Sequence, residues 1–146
     1  MRMIIQSRLI VFSDYECGQQ LQEHQKCCRQ SGRNYRMSIK GIYDIHCHIV
    51  PGVDDGATDI GETVKLLRME YEQGVRTVIA TPHFRFRMFE TPVEKVKEQF
   101  RLVEKAASEI SPDLHVYLGC EFHANMEMLP MLREQKVMTM AGSRYV

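Results

Sequence analysis

From Met37 onward the chain switches repeatedly between strand-like and helix-like stretches, and this alternation constrains the fold more than any other feature. "IYDIHCHI" (42–49) is rich in β-formers and runs into a Pro-Gly loop. "DIGETVKLLRMEYEQG" then sets Ile60, Val64, Leu67 and Tyr71 at helical spacing and stops at Gly74, a residue suited to a helix C-terminus. "VRTVIA" (75–80) predicts a short apolar strand, and Pro82 keeps Thr81 extended. "TPVEKVKEQFRLVEKAASEI" predicts a helix with Thr91 as N-cap, Pro92 at the first helical position and Glu94 completing a capping box. Val93, Val96, Phe100, Val103 and Ile110 form its apolar face. "LHVYLGC" (114–120) predicts a third strand, "MEMLPMLREQK" a short helix, and "SRYV" the start of a fourth strand. Such alternation implies βαβ units around a parallel sheet, which must be covered on both faces or closed into a barrel. A (β/α) barrel takes about 200 residues or more, so closure is not expected here. The expected class is α/β, parallel strands alternating with helices, with the barrel left open.

The stretch before Met37 differs. Residues 1–36 carry six basic and three acidic side chains, are rich in Gln, Ser, Arg and Cys, and lack periodicity after Phe12. They are expected to form a poorly structured extension, with residues 37–146 as the domain, and a chain starting at Met37 is expected to melt at nearly the same temperature. The start "MRMIIQSRLIVF" is interrupted by Gln6, Ser7 and Arg8, no small-residue cleavage site follows, and no run of about 18 apolar residues occurs. Neither export nor membrane insertion is expected, and the reading is cytoplasmic. With 19 basic and 19 acidic residues there is no basic field to attract nucleic acid. The five cysteines have irregular spacing, which fits neither a disulfide framework nor paired zinc knuckles. Cys47, between two histidines, is read as a small core residue.

Those two histidines open the chemical reading. His46 and His48 are two apart on a predicted strand, so both rings project from one face and can reach one cation. The turn "PGVDDG" adds Asp54 and Asp55; Asp54 is read as a turn former before Gly56, and Asp55 as a candidate ligand. The second strand ends in "ATPH", delivering His83, and the third in "GCE", delivering Glu121, at the same end of the sheet. Imidazole with carboxylate suits Mn²⁺, Fe²⁺ or Zn²⁺, and Glu121 can bridge two cations. His123 is read as a solvated loop histidine with an accessory role left open, and His115, near the start of its strand, is excluded. In "HFRFRMFET", Arg85 and Arg87 can meet a phosphate and Phe84, Phe86 or Phe89 a phenol ring, or the arginines are simply solvated.

"DIHCHIVPGVDDG", "ATPHFRFRMFETP" and "GCEF" followed by "SRYV" resemble the metal-dependent protein-tyrosine phosphatases encoded with bacterial capsule and exopolysaccharide genes. That family belongs to the polymerase-and-histidinol-phosphatase (PHP) superfamily, and the resemblance runs from about residue 42 to 146. It implies the N-terminal portion of a distorted (β/α)7 PHP-type barrel, with His46, His48, Asp55, His83 and Glu121 as ligands of cations, usually Mn²⁺. It further implies hydrolysis of phosphotyrosine by metal-activated water, with His48, Asp55 and His83 catalytic and no cysteine nucleophile. The implied partner is a phosphotyrosine protein, a bacterial tyrosine kinase of polysaccharide export. The family's later ligands, a glutamate after the "SRY" strand, a histidine and an aspartate–histidine pair, have no counterpart before Val146. The chain is therefore expected to act as an incomplete enzyme with weak metal affinity and low turnover. A PHP-type small-molecule phosphoesterase, such as a histidinol phosphatase, and a catalytically silent remnant are the alternatives.

Overall fold

The structure, a computed structural model, describes residues 10–11 and 41–146. The expectation for residues 1–36 lies outside the described residues, apart from a two-residue strand, β1 (Ile10–Val11). It pairs antiparallel with β2 (Ile42–Cys47), Ile10 opposite Asp44 and Val11 opposite Tyr43. β2 runs parallel to β3 (Val75–Ala80), with α1 (Ile60–Glu72) crossing between them. β3 runs parallel to β5 (His115–Leu118) across the helix α2 (Val93–Ile110), giving the order β1-β2-β3-β5. Between these elements lies β4 (His83–Phe84), which pairs in parallel with β6 (Glu121–Phe122) in a small second sheet. The helix α3 (Met128–Arg133) and a 3₁₀ turn, Met140–Gly142, follow. Among the described residues the sheet is open, and its parallel strands alternate with helices as the sequence predicts.

The core explains why these segments take these forms. Val75, Val78 and Ala80 of β3 are buried among Leu67 of α1, Val96, Phe100 and Val103 of α2, and Leu114. A central parallel strand has helices over it, so it needs apolar residues along its length. The loop after β2 is itself part of the core: Ile49 and Val50 are completely buried, and Val53 nearly so. This gives the turn that carries the aspartates a rigid base.

Four local expectations need correction. The third strand is two strands, β5 and β6, separated at Gly119, where a Cβ would press on Ile79 and Thr81 side chains at 3.2 and 3.4 Å. The close approach of backbones there favours glycine and breaks the ladder. "SRYV" forms no strand: Tyr145 bonds locally, its carbonyl accepting from Met140 N at 2.8 Å and its N–H donating to Ser143 Oγ at 3.1 Å. α2 begins at Val93 with Pro92 as cap residue, and Thr91 Oγ1 donates instead to Val53 O at 2.8 Å, tying the helix to the aspartate loop. In α1 Leu67 is buried and Val64 and Tyr71 pack against the core as the spacing predicts, but Ile60 is exposed and Thr63 and Glu70 are buried as well. Thr63 turns inward because its hydroxyl donates to Ile49 O and Asp59 O, at 2.9 and 3.2 Å, which satisfies a polar group in a dry place.

Candidate metal centre

The side chains singled out in the sequence meet beyond the C-terminal ends of β2 and β3. His46 lies on β2 and His48 one residue past it, with their Nε2 atoms 3.3 Å apart, so both imidazoles project to one side. The ends of β2 and β3 are clamped together, Thr81 N donating to Cys47 O at 2.8 Å and Cys47 N to Thr81 Oγ1 at 3.1 Å. From that clamp the chain passes through Pro82 into β4, where His83 pairs in register with Glu121 of β6. Residues opposite each other on neighbouring strands point the same way, so the two side chains converge. Glu121 Oε2 is their meeting point, 3.2 Å from His46 Nε2, 3.1 Å from His48 Nε2 and 3.3 Å from His83 Nδ1. Asp55 reaches in from the loop, its Oδ1 3.5 Å from His83 Nε2.

The donor set fits a cation. The ligand atoms of His46, His48 and Glu121 lie within 4.8 Å of one another, as do those of His48, Asp55 and His83. Two donors each about 2.0–2.2 Å from one ion stand roughly 3–4 Å apart, so modest side-chain rotation accommodates one. His48 and Glu121 stand where the two groups adjoin, and a carboxylate can span two ions.

Asp54 holds this arrangement in place, and sequence reasoning saw only half of its work. Its Oδ1 accepts from Gly56 N at 2.9 Å, the turn bond expected of it. Its Oδ2 also pairs with His48 Nδ1 and accepts from His83 N, each at 2.9 Å. The His48 bond puts the proton on Nδ1 and turns the Nε2 lone pair toward Glu121 and His46, the outer-sphere support typical of metal-binding histidines. Burial pulls the His48 pKa down but is outweighed by the Asp54 hydrogen bond and the charges of Asp54, Glu121 and Asp55, so it stands above its ordinary value. Burial pushes Asp54 up, and the bonds from His48, His83 N–H and Gly56 N–H outweigh it, leaving its pKa low. Asp44 was also missed: buried on β2, it accepts from His46 N at 2.9 Å. Its signal was present in "DIHCH", where Asp44, His46 and His48 recur with the period of a strand.

The remaining candidates separate clearly. Arg85 lines a cavity of about 390 Å³ with Asp55, His83, Glu121 and His123, while Arg87 is not among its lining residues and lies over the Phe86 ring at 5.2 Å. His123 is exposed at the cavity mouth, and His115 is exposed at the opposite end of the sheet. Cys47 and Cys120 are buried, and burial pushes the Cys120 pKa up to about 12, which leaves it uncharged at neutral pH.

Fold and site together define a class: an α/β protein whose parallel strands end in a histidine–carboxylate cluster whose donor atoms lie close enough together that they could hold a metal ion. Residues 42–146 match the family described as capsular polysaccharide synthesis, CpsB/CapC, and the chain belongs to that family. It is 43% identical over 104 residues to the tyrosine-protein phosphatase CpsB of Streptococcus pneumoniae, covering 71% of this chain and 43% of that one. It is 32% identical over 105 residues to the tyrosine-protein phosphatase YwqE of Bacillus subtilis, covering 72% and 41%. A solved structure from work on YwqE and S. pneumoniae CpsB, described as metal-dependent tyrosine phosphatases, superposes with a TM-score of 0.65 at 32% identity, over 71% of this chain and 42% of that one. The chain thus spans less than half the length of these relatives, and the α/β arrangement of the PHP-type phosphatase is shared over that span.

Proposed function

We propose that this chain is a metal-dependent protein-tyrosine phosphatase of capsule and exopolysaccharide synthesis, using His46, His48, Asp55, His83 and Glu121 to hold Mn²⁺, with Fe²⁺ and Zn²⁺ as chemically acceptable substitutes. The observation that carries the reading is the convergence of three imidazole nitrogens on one Glu121 oxygen at 3.1–3.3 Å. When bound, cations here supply an activated water and neutralise phosphoryl charge. The chain's own groups do the positioning. Asp54 fixes the His48 ring, Glu121 joins the three histidines, and Asp55 and His83 face the cavity that substrate enters. Arg85 stands on the same cavity wall, where its guanidinium can pair with phosphoryl oxygens in fork geometry. Arg87, directed over Phe86, is assigned a supporting part in the same loop.

Names of the relatives and the family description support a phosphotyrosine protein as substrate, and we assign as partner a bacterial tyrosine kinase of polysaccharide export. The reading is of a cytoplasmic protein; among the described residues no helix is long and apolar enough to cross a membrane. The test is phosphate release from a phosphotyrosine peptide with added Mn²⁺. The expected result is release that depends on Mn²⁺, falls at least about 100-fold in His48→Ala and survives Cys47→Ala and Cys120→Ala. Release no greater than with Mn²⁺ alone would favour the catalytically silent reading, and loss in the cysteine variants would point to a thiol mechanism.

A further inference from the structure

β2 does not pair evenly with β3. Asp44 lies opposite Val78 and Cys47 opposite Ala80, so three steps along β2 match two along β3, and the extra residue falls at Ile45–His46. A β-bulge bends its strand and re-aims the side chains beside it. This one stands at the first of the two paired histidines. Two successive N–H groups of the bulge donate to side chains, His46 N to Asp44 Oδ1 at 2.9 Å and Cys47 N to Thr81 Oγ1 at 3.1 Å. Both acceptors are buried, Asp44 within the bulged strand and Thr81 just past the end of its neighbour.

We propose that Thr81 is a positioning residue for the cation centre: its hydroxyl holds the bulge in the shape that points His46 and His48 at Glu121, and so sets how tightly the cluster takes a divalent cation. This rests on the metal-binding reading above. Thr81 meets Cys47 twice, its N–H donating to Cys47 O at 2.8 Å while its hydroxyl accepts from Cys47 N. The first bond fixes how far apart the strand ends lie; the second, at the other side of the same residue, fixes how the Cys47 backbone is rotated. Cys47 is the link between His46 and His48, so its rotation is shared by both imidazoles. A turn of about 10–20° there carries them off the geometry a cation requires. Thr81 also leads through Pro82 into His83, and Pro82 O accepts from Glu121 N at 3.0 Å. One buried hydroxyl thus stands at the junction from which all four side chains depart.

The variants are Thr81→Val, which keeps the shape and the backbone bond and removes the acceptor, and Thr81→Ser, which keeps the acceptor. Two quantities are measured on the full chain: Mn²⁺ affinity by calorimetry and, without metal, the nuclear Overhauser contact between the rings of His46 and His48, whose centroids lie 5.1 Å apart. Thr81→Val is expected to weaken Mn²⁺ binding about tenfold and to diminish the ring contact, with Thr81→Ser within about twofold of the unaltered chain on both. Arg76→Ala, at the other end of β3, controls for a general loss of stability and should move neither. Should Thr81→Val not fold, Thr81→Ala takes its place under the same criteria. Unchanged affinity and ring contact without the hydroxyl, or losses as large in Thr81→Ser or Arg76→Ala, would overturn the proposal, the latter by making the effect one of packing. No Mn²⁺ uptake by the unaltered chain would sink the cation reading and the effect on affinity with it, leaving the ring contact to decide whether Thr81 aims the histidines.

Discussion

The Asp54 side chain is 0% exposed while that of Asp55, one residue on, is 66% exposed, and this difference divides their tasks. Asp54 bonds to His48, to the His83 backbone and to Gly56, so its oxygens are engaged in orienting these groups, while Asp55 is left to face the proposed cation. Asp54→Asn keeps the shape but weakens the grip on His48, and Mn²⁺ affinity should fall about 10–100-fold with the fold intact, as read by calorimetry beside circular dichroism. Unchanged affinity would mean that the bond does not govern how His48 binds. Gly56 is constrained by space: a Cβ there would meet the carbonyl oxygen and Cβ of His48 well inside van der Waals contact. Because the obstacle includes backbone, Gly56→Ala should cost about 1–3 kcal/mol in urea unfolding and displace His48 as well. The turn chemistry of Asp54 was legible in "VDDG", since an aspartate two residues before a glycine bonds its own backbone. Its bonds to His48 and His83 were not, because His83 is 29 positions away and sequence spacing does not encode which ring a buried carboxylate will face.

Strands and helices were legible wherever burial follows a simple period, and were misread where a backbone approach or a polar bond decides. The apolar run of β3 and the α2 stripe through Val96, Phe100 and Val103 appear where the pattern places them. The β5–β6 break and the inward turn of Thr63 arise from a close contact at Gly119 and from a carbonyl at Ile49, neither of which has a periodic signature. At the far end of β3 from the cluster, Arg76 ties β3 to α1 and to the turn before β5. It donates to Asp113 at 3.0 Å and to the carbonyls of Tyr71 and Val75 at 2.9 and 2.7 Å, and lies 3.9 Å over the Tyr71 ring. Arg76→Ala should lower stability by about 1–3 kcal/mol while leaving Mn²⁺ binding unchanged. An effect on metal affinity would show that the two ends of the strand are coupled.

At the scale of the molecule, the parallel sheet turns three separate stretches of sequence into one site, because strands running the same way bring their C-terminal ends together. That is why His46, His48, His83 and Glu121 can be grouped from the sequence: each lies in or just after a strand signal, and the sheet does the rest. The same logic does not place the Phe89 ring beside His83, since Phe89 reaches it through a hairpin closed by Arg85 and not through a strand. The central claim is that these side chains form a cation centre in this chain. It is tested most directly by titrating Mn²⁺ into the metal-stripped protein and following the electron paramagnetic resonance signal of the free ion. The account predicts that the chain takes up Mn²⁺, that His46→Ala and Glu121→Gln each weaken uptake at least about tenfold, and that Arg76→Ala does not. Uptake equal in all four proteins, or none in the unaltered chain, would contradict it.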